Sequence, residues 1–192
     1  SNPLRILDTK NPALQGLVGF KSTPRWVPTA GAIPLSTTLD TACAITRSAR
    51  DAVLLHEVLA ARRVALDPRP FSAWRLALPS TLMLDALEPA VAAAFERSVA
   101  TLRSAGAQIV DLDMSLLNDV NALHRGGGLS AAESWAWHRQ RLATREAQYD
   151  PRVALRIRRG EALSAADYID LLNERRRVIA STEAALAGFD AL

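Results

Sequence analysis

The sequence predicts an α/β fold: a mixed, mostly parallel sheet fragment flanked by helices, with a largely helical segment after residue 115. Three observations carry this expectation. Two strand-like runs, Arg75-Leu76-Ala77-Leu78 and Gln108-Ile109-Val110-Asp111-Leu112, are separated by an alanine-rich stretch long enough to cross between parallel strands. Helix-start signals recur at Ser48, Asp150 and Ser164, each followed by an acid or a proline at the position where a first helical turn uses it. The region from Pro12 to Asp40 is rich in Pro, Gly, Ser and Thr, the composition of short strands and turns lying on a core.

Taken in order, Ser48-Ala49-Arg50-Asp51 has the form of a capping box, and Val53, Leu54, Val58 and Leu59 follow at helical spacing, which predicts a helix over 49–61. Pro79 ends the strand that begins at Arg75. Pro89 suits a first helical position, and the run to Ala105 is stopped by Gly106. Beyond the second strand the pattern is helical, broken by Gly126-Gly127-Gly128 and resuming near Ser130. Asp150-Pro151 opens a further helix with Gly160 as its stop, and Ser164-Ala165-Ala166-Asp167 is a second capping box that starts a helix running to about Gly188. Phe189-Asp190-Ala191-Leu192 reads as the entry to a strand, so the C-terminus is expected to be truncated. The whole is expected to be one partial domain over 1–192, with segments 12–61, 75–112 and 115–188.

Composition excludes several classes of function. The chain has 49% hydrophobic and 22% charged residues, an ordinary globular balance. No apolar run approaches the ~18 residues that span a bilayer, and the N-terminus lacks a signal peptide's basic start and apolar middle, so no membrane role and a cytoplasmic location are expected. The single Cys43 permits no internal disulfide. Cys43, His56, His124 and His138 have no metal-ligand spacing among them, so neither a metal nor another cofactor is expected. The basic runs Arg156-Ile157-Arg158-Arg159 and Arg175-Arg176-Arg177 are interleaved with Glu161, Asp167, Asp170 and Glu174, which reads as solvated helix faces, not a nucleic-acid stripe.

Two readings of the triple glycine stay open. Gly126, Gly127 and Gly128 either break a helix or let backbone approach a ligand closely. On the following turns Glu133, Trp137 and His138 come next, and Glu133 and Trp137, four apart, share a helix face. These six residues are the candidate substrate-binding wall. No serine follows a glycine, so no nucleophile elbow is present.

The segment Gly16-Leu17-Val18-Gly19-Phe20-Lys21-Ser22-Thr23, followed by Val27-Pro28-Thr29-Ala30-Gly31-Ala32-Ile33-Pro34-Leu35-Ser36, Thr38-Leu39-Asp40-Thr41 and Thr46-Arg47-Ser48-Ala49-Arg50-Asp51-Ala52, resembles the amidase signature family in order and spacing. The run from Glu88 to Asp113 and the tail around Tyr149-Asp150-Pro151 and Ser164-Ala165-Ala166-Asp167-Tyr168 resemble the later part of bacterial amidases of this type. The resemblance is specific in the first fifty residues and looser after them. It implies hydrolysis of the amide bond of a small molecule by a Ser–Ser–Lys triad, in which a serine attacks, a second serine relays its proton and an uncharged lysine is the base.

The family's nucleophile lies in a glycine–serine segment just before the stretch that Gly16 opens. Here Asp8-Thr9 is followed by Lys10-Asn11-Pro12, four residues short and without that glycine or serine. Lys21 matches a family lysine that is not the base, and Ser22 stands where proline is usual. No catalytic residue is therefore assigned in this chain. The expectation is the portion of an amidase downstream of its catalytic serine, inactive alone and prone to self-association through exposed sheet edges. The alternative is a non-catalytic remnant or pseudoenzyme that binds a ligand or partner.

Overall fold

In the computed structural model, which describes Pro12, residues 15–80 and residues 84–192, the chain follows the predicted order of elements. Strand β1 (Val18–Gly19) pairs antiparallel with β2 (Ile45–Thr46), framing the Pro- and Gly-rich region between them. Helix α1 (Ala49–Ala60) begins where Ser48 Oγ accepts a hydrogen bond from the Asp51 amide.

Strands β3 (Arg75–Pro79) and β4 (Gln108–Leu112) pair in parallel register from Arg75 opposite Gln108 to Pro79 opposite Leu112, joined by helix α2 (Pro89–Ser104). Pro79 is thus the last paired strand residue; its missing N–H is tolerated at a strand end. On the other side of β3, Ala191 bridges Leu76 in parallel, with the Ala77 amide donating to the Ala191 carbonyl at 2.8 Å. Asp190 anchors this contact by accepting from the Arg75 amide at 2.8 Å and from Arg69 at 3.1 Å. A single parallel bridge thus sets the C-terminal residues beside β3.

After β4 the chain is helical, but its first stretch, Ser115–Gly127, is 3₁₀ in character. Helix α3 (Gly128–Arg145) starts two residues before Ser130, at the last glycine of the triplet. Helix α4 (Pro151–Arg158) is capped by Asp150, and α5 (Ala165–Leu186) by a complete capping box between Ser164 and Asp167. The compact core of this half is Leu142 with Ala154 and Ile157, covered by Trp135 and Tyr149. Helix α3 is its hub, in contact with α4, α5 and the 3₁₀ stretches on either side. Gly160 closes the crossing, since a Cβ there would lie 2.1 Å from the Ala131 carbonyl oxygen. Its predicted role as a helix stop is accompanied by this close-packing role, because α4 already ends at Arg158 and a 3₁₀ turn runs on to Ala162.

Candidate functional site

The loop Pro34–Asp40 is folded on itself before anything else touches it. Asp40 Oδ2 accepts from the amides of Leu35 and Ser36 at 2.9 and 3.1 Å, and the Asp40 amide donates back to the Ser36 carbonyl at 2.8 Å. This is the local side-chain capture by which Asp and Ser organise turns. It aims Ser36, Thr37 and Thr38 at one place, the side chain of Glu133 on α3.

Glu133 accepts from Ser36 Oγ at 2.6 Å, Thr37 Oγ1 at 3.3 Å and the Thr38 amide at 2.9 Å, all through Oε2. Through Oε1 it accepts from Thr38 Oγ1 and from the Tyr168 hydroxyl on α5, the latter at 2.8 Å. Partial burial pushes this carboxyl up, but the bonds from Ser36, Thr38 and Tyr168 outweigh it and hold Glu133 below the usual carboxylate range. The same contact, helped by burial, raises the Tyr168 phenol. A carboxylate so occupied is a structural anchor: its lone pairs are committed to the 36–38 loop and to α5.

His138, five residues further along α3, ties down the start of the same loop. Its Nδ1 lies 2.8 Å from the Tyr149 hydroxyl, and the ring interacts with the Pro34 backbone. Burial and the nearby Arg141 cation lower the His138 pKa, against the opposing Pro34 interaction, so the neutral ring is favoured. Between them Trp137 stays 37% exposed, edge-on to the His138 ring with centroids 4.6 Å apart and with the Arg141 guanidinium 4.6 Å from its own ring centre. Trp137 thus keeps part of its ring exposed, whereas the Glu133 carboxylate four residues before it faces the loop.

The glycines are explained by the backbone. Gly126, Gly127 and Gly128 have φ of 63°, 98° and 60°, three left-handed residues in succession. A Cβ on Gly128 would lie 2.2 Å from the Leu123 carbonyl oxygen, and one on Gly127 2.5 Å from Ala131 Cβ, so this is a tightly wound entry to α3. Gly126 alone is exposed. Its Cβ position is 3.6 Å from Leu163 Cδ2, and Leu163 lines an open cleft along α5 with Asp167, Asp170, Asn173 and Arg177. The triplet, Glu133, Trp137 and His138 thus lie on one helix and the turn before it, but their side chains do not converge on a shared cavity.

The sequence reading missed Ser36, Thr37, Thr38, Tyr149 and Tyr168. The turn-forming PLSTTLD composition and two tyrosines beside capped helices were the available signals; the loop contacts span 95 to 97 residues and those of Tyr168 and Tyr149 span 35 and 11, none with a local signature. Among the described residues, no serine hydroxyl is hydrogen-bonded to a lysine or histidine nitrogen, and burial pushes the Cys43 thiol up against the pull of Lys21, which keeps it protonated. The Asp8-Thr9-Lys10-Asn11 segment weighed in the sequence lies outside the described residues. Within the arginine runs, Arg158 pairs with Glu146 at 2.6 Å and Arg177 pairs with Glu174 and Asp119. Among the described residues no helix is long and apolar enough to cross a membrane.

Comparison with known proteins places this architecture. The Amidase family model matches residues 11–192. A 2-amino-5-chloromuconic acid deaminase of Comamonas testosteroni is 34% identical over 161 residues, covering 82% of this chain and 35% of the relative. An indoleacetamide hydrolase of Agrobacterium vitis is 36% identical over 110 residues, 57% of this chain and 24% of that protein. A solved amidase structure superimposes with a TM-score of 0.82 at 30% identity over 91% of this chain and 39% of its own. The chain thus spans about a third of the length of the relatives it matches. On a match that runs from residue 11 to residue 192, and a shared fold at 30% identity, the chain belongs to the amidase family.

Proposed function

We propose that this chain is the portion of a small-molecule amidase that lies downstream of the catalytic serine, and that it shapes the substrate side of a site whose Ser–Ser–Lys chemistry comes from the preceding portion of the fold. The observation that carries the reading is the family match over residues 11–192 combined with the absence, among the described residues, of any serine paired to a base. The relatives' names point to carbon–nitrogen bonds in small organic molecules, a deaminated muconic acid in one and an indole amide in the other.

In this reading Gly126, Gly127, Gly128, Glu133, Trp137 and His138 form the substrate-facing wall, with unequal parts. Trp137 is the member with free surface to meet a ligand. Glu133 and His138 act as positioning residues, holding the Pro34–Thr38 loop in place, and the glycines set the entry angle of α3. The protein works in the cytoplasm, needs no cofactor, and in isolation self-associates through its sheet edges.

The experiment is an amide-hydrolysis assay of the purified 192-residue chain beside the same chain joined to the upstream portion of a relative. Turnover is expected only from the joined protein, and there Trp137→Leu is expected to alter kcat/KM across an amide panel. Turnover by the 192-residue chain alone, abolished by one serine substitution, refutes the assignment. The second reading, a non-catalytic remnant that binds a ligand or partner, rests on the same missing serine–base pair; it predicts no turnover even from the joined protein.

A further inference from the structure

Helix α3 continues past Glu133 with a cation that no acid answers. The helix carries one acid, Glu133, and three arginines, Arg139, Arg141 and Arg145. The acid is committed to donors from the 36–38 loop and from Tyr168. Arg141 is exposed, and among the described residues its guanidinium has no ion pair and no hydrogen bond. What holds it is the Trp137 ring, four residues back on the same face, with the guanidinium carbon 4.6 Å from the ring centre. Its charge is felt locally: after burial, Arg141 is the next cause of the lowered His138 pKa.

A guanidinium held over an indole keeps its edge N–H groups, and these match the two oxygens of a carboxylate. The indole beside it is 37% exposed, enough to take the apolar body of the same molecule. Both side chains project from a helix that Glu133 and His138 fix to the 34–38 loop, so the plate and the cation are held on rigid elements.

We propose that Trp137 and Arg141 read a second functional group of the substrate: the amide that is hydrolysed also carries an ionised carboxylate, which Arg141 binds while the apolar stem lies along Trp137. This rests on the functional reading above, since it gives the substrate-facing wall a substrate class. Arg141 sets specificity and takes no part in breaking the carbon–nitrogen bond.

The probes are 4-carbamoylbenzoate and terephthalamide, which differ by a carboxylate against a second carboxamide. Binding to the 192-residue chain is followed by NMR of the indole and guanidinium N–H signals, assigned from spectra of Trp137→Phe and Arg141→Gln. The carboxylate probe is expected to shift both signals and to bind about tenfold more tightly than the diamide, a preference that shrinks as salt rises. Arg141→Gln is expected to abolish the preference while leaving diamide binding and Tm unchanged, and Arg141→Lys, which keeps the charge without the fork, to retain only part of it.

Equal affinity for the two probes, or a preference that survives Arg141→Gln, overturns the proposal. So does the absence of shifts at Trp137 and Arg141 with either probe. Turnover then separates this inference from the reading it rests on. A joined protein that hydrolyses the diamide but not the carboxylate probe overturns the inference and leaves the amidase reading standing. Carboxylate-selective binding with no turnover from the joined protein does the reverse, and keeps Arg141 as a ligand-binding residue.

Discussion

Removing the Glu133 carboxylate tests whether the 34–38 loop is held from a distance or by its own turn. Five donors converge on this side chain. In Glu133→Ala, Thr37 is exposed and the Thr38 and Tyr168 side chains are half-exposed, so these three hydroxyls can turn to water. Ser36, 1% exposed, and the Thr38 amide cannot do so without opening the loop. Two stranded donors at about 1–3 kcal/mol each, partly relieved by relaxation, give a loss of about 2–4 kcal/mol. Glu133→Gln keeps one acceptor oxygen for Ser36 and the Thr38 amide, while its amide can donate to the Thr38 and Tyr168 hydroxyls, so the loss is smaller, about 1–2 kcal/mol. The folded-state pKa of Glu133 is depressed, so its contribution is complete above the unfolded carboxyl value and is lost as pH falls through the lower folded value. Urea unfolding followed by tryptophan fluorescence, at pH 7 and again near pH 3, checks both points. The order wild type, Gln, Ala is expected at pH 7, with the gap between wild type and Gln closing in acid. An alanine variant within about 0.5 kcal/mol of wild type, or a gap that persists unchanged in acid, would refute the anchoring argument.

Other perturbations follow from the same geometry. Gly128→Ala combines a left-handed φ with a 2.2 Å approach to the Leu123 carbonyl and is expected to destabilise by more than about 2 kcal/mol, whereas Gly126→Ala meets only Leu163 at 3.6 Å and should cost about 1 kcal/mol; paired thermal melts separate the two. Asp190→Ala removes the acceptor that fixes Arg75 and Arg69, and hydrogen exchange at the Ala77 amide, which donates to Ala191, should accelerate markedly while exchange in α3 stays unchanged. The folded pKa of His138 is lowered, so the stability from its neutral ring is complete above an unfolded value near 6.5 and lost as pH falls through the folded one; His138→Gln should flatten the stability profile below about pH 6.5, and a wild-type profile already flat there would remove the argument.

What the sequence determined by itself was local. Ser48, Asp150 and Ser164 start helices because a side-chain oxygen within three residues satisfies the first free amides, and those contacts need no distant partner. The apolar runs at 75–79 and 108–112, with a helix between, impose a parallel pair because the connection allows little else. Only the tertiary structure decided what Glu133, His138 and Gly128 are for. The spacing of Glu133 and Trp137 is the same whether the acid faces a ligand or a loop, and the choice was made by Ser36, Thr38 and Tyr168, which reach it from 97, 95 and 35 residues away. The glycine triplet shows the same division: its composition signals unusual backbone, but a helix break and an approach to a ligand look alike until the Leu123 carbonyl is found 2.2 Å from where a Cβ would stand. Packing partners brought together by chain topology leave no periodic trace in sequence, so a residue's type is legible there while the group it answers to is not.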